Sequence, residues 1–251
     1  MRKKHRHSLH DYVVKEIGQS IVSGRFPVGL PIPDVDALGA KLQVSRTALR
    51  EALIVLAAKG LLEARQKAGT VVRPRDEWNM LDADILMWRV ESDEGAQVIA
   101  ELYDLRRLIE PLAASLAATH ATRRHIEPLR RAYEDMALAG DDGDKVLDPD
   151  VRFHRAVISA SGNALFASVG LIIASALEVN FKAIKDSPRG HVWALPLHKA
   201  VLDGIAAHDA KAARIAMQKL LDESEQDLLA ARAGENRRKR KTARAPRVRS
   251  A

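Results

Sequence analysis

The stretch from Gln43 to Arg73 leaves this chain few folds to choose from. A short turn, Gln43-Val44, leads into Ser45, a residue suited to capping a helix. That helix carries Leu49, Leu53 and Leu56 on one face, with Ala52 and Ala57 beside them, and Gly60 ends it. Beyond Gly60 the helical period is lost. Leu61–Arg65 and Thr70–Arg73 read as two short strands about the turn Gln66-Lys67-Ala68-Gly69. Upstream, Leu9, Val13, Ile17 and Ile21 recur at helical spacing until Gly24 and Pro27. A second helix begins at Pro33-Asp34, with Val35, Leu38 and Leu42 on one side. Three short helices, a tight turn between the last two, and a hairpin directly behind them are the layout of a winged helix-turn-helix.

The outer face of the third helix suits double-stranded DNA. Arg46 and Arg50 are one turn apart and project from one side. Ser45 and Thr47 stand at the helix N-terminus, where free backbone N–H groups and the helix dipole favour a phosphate. An arginine reads guanine bidentately in the major groove. The hairpin adds Arg65 and Lys67 near Gly69 for backbone or minor-groove contact. The bland alternative is a solvated face that happens to carry two arginines. The turn, the cap and the hairpin together weigh against it.

Charge is placed unevenly. Of the net +7, residues 1–7 carry +4 and residues 234–251 carry +7, which leaves residues 8–233 at −4. Basic ends favour polyanions such as DNA, or are simply solvated, and 234–251 is expected to be a disordered tail. The basic N-terminus is not followed by an apolar run, so it is not a signal peptide. The longest stretch without a formal charge, Ala156–Leu177, is interrupted by Ser161-Gly162-Asn163, and its remainder is too short to span a bilayer. A soluble, cytoplasmic protein with no membrane partner is expected. There is no cysteine, which excludes disulfide and thiol chemistry.

Pro74-Arg75-Asp76 breaks the last strand. The expected organisation is a DNA-binding domain over 8–74, a linker with a short helix over 75–94, an all-α bundle over 95–233, and the tail. The fold class is mainly α. In the bundle, three lines of apolar residues each carry polar ones. Asp150 and His154 lie on one line with Val157, His198 shares a line with Val201, Leu202 and Ile205, and Arg106 lies between Leu102 and Ile109. Burying such groups unpaired is costly. Asp150 and His154, at i and i+4, can share a divalent metal with His198 as third ligand, and carboxylate plus imidazole suits Zn, Ni or Mn. Alternatively Asp150 and His154 hydrogen-bond each other, and Arg106 pairs with Glu110 on its own helix.

These residues resemble a known family. Ile21-Val-Ser-Gly24, Val44-Ser-Arg-Thr-Ala-Leu-Arg-Glu-Ala-Leu53, Ala58-Lys-Gly-Leu-Leu62 and Gly69-Thr-Val-Val72 resemble the GntR superfamily of regulators. The resemblance implies DNA contacts from Ser45, Arg46, Thr47, Arg50 and Gly69. Some members carry an arginine at the start of the second helix, where this chain has Asp36. Leu105-Arg-Arg-Leu-Ile-Glu-Pro111, Asp150-Val-Arg-Phe-His154, Ser161-Gly-Asn163 and His198-Lys-Ala-Val-Leu-Asp203 resemble the FCD domain of the FadR-like branch. That resemblance implies metal ligands at Asp150, His154 and His198. The usual fourth, a histidine 22 positions after His198, is Leu220 here. The Trp78–Trp88 segment is similar to galactonate-type regulators of sugar-acid catabolism. The implied function is a homodimeric repressor of a catabolic operon, released from its operator by a small carboxylate, a sugar acid such as an aldonate. The effector carboxylate is expected to bind Arg106, a bound divalent metal, or both, with Arg107, Asn163 and Asn180 as weaker candidates for hydroxyl or carboxylate contacts. Two rivals are a metal-dependent enzyme acting on a small carboxylate and a DNA-binding protein without effector control. No nucleophile or general-base motif accompanies the metal candidates, and an enzyme is not expected.

Overall fold

The computed structural model describes residues 9–166, 170, 173, 174, 177 and 189–244, and for residues 232 and 234–244 the backbone alone. The chain divides into two compact units between Ile99 and Ala100.

The first unit runs α1 (Leu9–Val22), α2 (Val35–Leu42), α3 (Arg46–Ala58), β1 (Leu62–Arg65), β2 (Gly69–Val72), a 3-10 turn at Arg75–Glu77 and α4 (Ala83–Val90). Local chemistry sets the starts. Asp34 Oδ1 accepts the Ala37 N–H at 2.8 Å and Ser45 Oγ accepts the Ala48 N–H at 3.2 Å, each satisfying a helix donor that otherwise has no partner. The strands pair antiparallel, with Leu62 opposite Val72 and Arg65 opposite Gly69. Val13, Ile17, Ile21, Leu38, Leu49, Leu56, Leu62 and Val72 fill the core beneath the hairpin.

Residues 75–94 differ from the linker expected of them. Trp78, Ile85 and Trp88 are buried in that same core. Trp78 Nε1 donates to the Arg73 carbonyl at 2.9 Å. The Asp82 carboxylate caps α4 and also accepts the Lys59 ammonium at 2.8 Å. A small three-helix head is short of apolar surface to bury, and each tryptophan adds on the order of 150–250 Å².

The second unit is helical. α5 (Gly95–His120) enters it from the first; α6 (Arg123–Ala139), α7 (Gly143–Ala160), a 3-10 turn at Val192–Ala194, α8 (Leu195–Ala206) and α9 (Ala210–Arg244) complete it. α6 packs on α7 and α8, and α8 on α9. The core runs through Leu129, Phe153, Val157, Val201, Leu202, Ile205, Met217 and Leu220. α9 continues to Arg244, past residue 234, where the composition alone points to the start of a disordered tail. Its Ala, Arg, Lys and Glu residues are strong helix formers, so a bundle helix can propagate through them. Residues 1–8 and 245–251, which hold part of both basic ends, lie outside the described residues. No helix among the described residues is long and apolar enough to cross a membrane.

α1 and α4 approach each other at Gly18, where an added Cβ would overlap the Trp88 ring. Gly18→Ala is expected to destabilise the first unit by about 1–3 kcal/mol through overpacking. Urea unfolding followed by tryptophan fluorescence measures it; an unchanged midpoint would show that α4 does not dock on α1.

Candidate functional site

Two groups of side chains carry the chemistry. The first lies on the reading head. Ser45, Arg46, Thr47 and Arg50 are exposed at the start of α3, and Arg65, Lys67 and Gly69 are exposed on the hairpin. Lys67 and Gly69 both hold positive φ, which turns the hairpin tip. Arg46 is not loose: its Nε lies 2.6 Å from Asp36 Oδ1, at the start of α2. Asp36 thus supplies a carboxylate that holds it. Arg65 is paired in the same way with Glu63.

The second group is buried in the second unit. Arg106 and Glu110 come from α5, Asp150 and His154 from α7, and His198 from α8, and each is at most 5% exposed. Arg106 Nε donates to Glu110 Oε1 at 2.5 Å, and His154 Nδ1 bonds the other Glu110 oxygen. His198 Nδ1 donates to the Ala194 carbonyl at 2.9 Å. In a neutral imidazole, donation from Nδ1 leaves Nε2 with a bare lone pair. Both Nε2 atoms face Asp150 Oδ1, His198 at 3.0 Å and His154 at 4.0 Å. His198 Nε2 makes no aligned hydrogen bond, although it is buried. Two lone pairs and a carboxylate oxygen aimed at one another repel unless a proton or a cation lies among them. The ligand atoms of these three residues all lie within 4.8 Å of one another. Each histidine is fixed through its other nitrogen, as metal-binding histidines are. The donor set therefore fits a divalent ion.

Arg106, Asp150, His154 and His198 line one cavity of about 40 Å³, with His191, Trp193 and Ser224 also on its wall. That volume takes an ion with one or two waters, and a larger ligand must displace water and widen it. Arg106 Nη1 is buried without a hydrogen-bond partner. Leu220, at the position of the implied fourth histidine, sits 1% exposed in the apolar core. Among the described residues the candidate ligands are therefore these three, and an ion held by them would have positions for oxygen donors.

Electrostatics reflect this packing. Burial pushes the Glu110 carboxyl up, but Arg106 and His154 outweigh it and hold its pKa down to about 2. Burial likewise opposes ionisation of Asp150, and its contact with His198 and the charges of His154 and Arg106 bring it below the ordinary value. Tyr103, whose ring lies 5.2 Å from the Arg106 guanidinium carbon, is pushed up to about 12, chiefly by burial.

The other expected effector contacts stand elsewhere. Arg107 bonds Asp104, Asp222 and Glu225 away from the cavity lining. Adjacent helix residues point about 100° apart, so it cannot share the direction of Arg106. Asn163 is exposed and its Oδ1 accepts the Leu165 N–H at 3.0 Å, which makes it a turn residue. Asn180 lies outside the described residues. Sequence reasoning gives Glu110 only as the partner of Arg106, and gives His191, Trp193 and Ser224 no role. No local spacing pairs Glu110 with a histidine 44 positions away.

Comparison with known proteins agrees with both halves. Residues 9–72 match the gntR family of bacterial regulatory proteins, and residues 101–223 match the FCD domain. The chain is 31% identical to the galactonate operon transcriptional repressor of Escherichia coli K12 over 204 residues, covering 81% of this chain and 89% of that one. It is 30% identical to the putative L-lactate dehydrogenase operon regulatory protein of the same organism, covering 83% and 82%. Among solved structures it is similar to one described as "Lar controls the expression of the Listeria monocytogenes agr system and mediates virulence". That match has a TM-score of 0.63 at 18% identity, covering 89% of this chain and 97% of that one, a likeness of fold.

Glu110→Gln leaves Arg106 buried without its counter-charge, and the expected loss is about 3–5 kcal/mol at pH 7. The pH dependence has a definite sign. The folded-state pKa of Glu110 is lowered from 4.5 to about 2. Its contribution is therefore full above pH 4.5 and lost as the pH falls toward 2. The variant should show a shallower loss of stability across that window, read from urea unfolding at stepped pH. Parallel acid profiles would contradict the pairing.

Proposed function

Because the chain belongs to the GntR family of bacterial regulatory proteins and carries an FCD domain, we propose that it is a homodimeric, cytoplasmic repressor of a catabolic operon, released from its operator by a sugar acid of the aldonate type. The family consists of transcription regulators, not enzymes. The observation that carries the effector reading is the convergence in one cavity of an unpartnered Arg106 Nη1 with the Asp150, His154 and His198 ligand atoms. A carboxylate needs a fork of donors, and a guanidinium supplies one. Asp150, His154 and His198 would hold Zn, Ni or Mn, which offers Lewis-acid positions to a carboxylate and its neighbouring hydroxyl. Galactonate and lactate, for which two relatives' operons are named, are both 2-hydroxy acids with that pair of oxygens.

The chain's own residues do the rest. Glu110 holds the Nε side of Arg106, so that the free Nη1 remains for the ligand. Burial excludes water, which strengthens the ionic contact. On DNA, Arg46 and Arg50 read base edges, while Ser45, Thr47, Arg65, Lys67 and the Gly69 turn set the position on the backbone. Two heads on a two-fold axis match a palindromic operator. An effector regulates only by favouring one arrangement of the heads over another.

The test uses the full chain and promoter DNA footprinted by it. Arg46→Ala and Arg50→Ala should each cost about 1–3 kcal/mol of specific binding. Arg106→Ala should bind the operator as tightly as the wild type and stay bound when D-galactonate is added. Wild-type affinity in both recognition-helix variants would refute the reading face. Release of Arg106→Ala at wild-type galactonate concentrations would remove Arg106 as the anchor.

Metal carries its own expectation. Elemental analysis should find a divalent ion that chelators strip easily, because Leu220 stands where a fourth histidine is implied and the described residues offer three ligands. Leu220→His should tighten it. No ion bound after supplementation would return the Asp150–His198 contact to a plain hydrogen-bonded pair.

A further inference from the structure

Of the three candidate metal ligands, His198 alone stands in the first turn of its helix. Asp150 and His154 lie well inside α7, whereas α8 begins at Leu195. Ala194, at the N-cap of α8, makes no side-chain cap bond. A helix start without a cap leaves its first N–H groups to other partners and holds its side chains loosely.

What holds this start is a chain of hydrogen bonds from a carboxylate. Asp141 Oδ1, in the link between α6 and α7, accepts the backbone N–H of His191 at 2.6 Å and of Val192 at 3.0 Å. The His191 carbonyl accepts the Ala194 N–H at 3.2 Å. The Ala194 carbonyl in turn accepts Nδ1–H of His198 at 2.9 Å, and Nε2 of the same ring lies 3.0 Å from Asp150 Oδ1. Three bonds thus join Asp141 to the imidazole whose far nitrogen faces the ligand group. Gly190 makes room for the first of them. Its φ is 68°, and a Cβ there would overlap the Asp141 carboxylate. The neighbouring Asp142 caps α7, its Oδ1 accepting the Asp144 N–H at 3.2 Å, and α7 carries the other two ligands. Adjacent positions of one short link therefore fix the turn that leads to His198 and the helix that carries Asp150 and His154.

On the reading of Asp150, His154 and His198 as a metal site, we propose that Asp141 is a positioning residue, which sets the His198 imidazole against the two ligands of α7 through the Gly190–Ala194 turn. Titration calorimetry of the full chain with zinc tests it, beside urea unfolding of the metal-free chain. Asp141→Ala removes the acceptor and should weaken zinc about tenfold, the lower end of what a lost outer partner costs a metal site. Asp141→Asn keeps an oxygen acceptor and should stay within about threefold of the wild type, at the level of one weakened hydrogen bond. Gly190→Ala pushes the carboxylate off the turn and should weaken zinc as Asp141→Ala does. Wild-type zinc affinity in Asp141→Ala overturns the proposal, even if the unfolding midpoint falls, because a merely structural turn would move the midpoint alone. An Asn variant that loses as much zinc affinity as the Ala variant overturns it too. A wild type that binds no zinc removes the metal reading itself, a different result from variants that bind zinc as the wild type does.

Discussion

Glu110 is bonded on both sides. One oxygen takes the Arg106 guanidinium, the other takes His154, and none of the three is more than 2% exposed. A carboxylate in such a place is tolerated only because Arg106 neutralises it and both partners hydrogen-bond it. That requirement brings α5 and α7 to fixed positions, since a shift of either leaves a charge stranded. It also settles which nitrogen of His154 faces Asp150, and which edge of Arg106 remains open. Packing and tautomer are thus consequences of one bridged carboxylate.

How much of this is legible in the chain depends on the range of the contact. Ser45 and Asp34 announce their helices because capping acts over three residues. The helical period puts Asp150 above His154 and places His198 and Arg106 on buried stripes, as found. Arg106 with Glu110 is visible as an i, i+4 pair. The bond from Glu110 to His154 is not, because nothing in a linear pattern says which helix faces which. His191 escapes notice for another reason: it lies in a turn, where apolar periodicity has no bearing. Arg107 and Asn163 are credited with a ligand on residue type alone. Their surroundings, an acidic surface cluster and a helix start, give them other partners.

The two units use arginine differently. On the head, Arg46 is held by Asp36 in open solvent, where an ion pair orients more than it stabilises. In the bundle, Arg106 is held by Glu110 out of water, where removing the partner is expensive. On the proposed function, Arg46 would exchange its partner for a base edge, and an exposed pair releases cheaply. On the same proposal, Arg106 would keep its place whether or not ligand is present, and a buried pair does that.

The docking of Trp88 on Gly18 reaches beyond packing. Pro74 looks like the natural seam of the chain, the point at which one would exchange heads to build hybrid regulators. A hybrid joined there would take α1 from one parent and the tryptophan that covers it from the other. The transferable module instead ends after α4, at Val90, so that the ring and its glycine are inherited together.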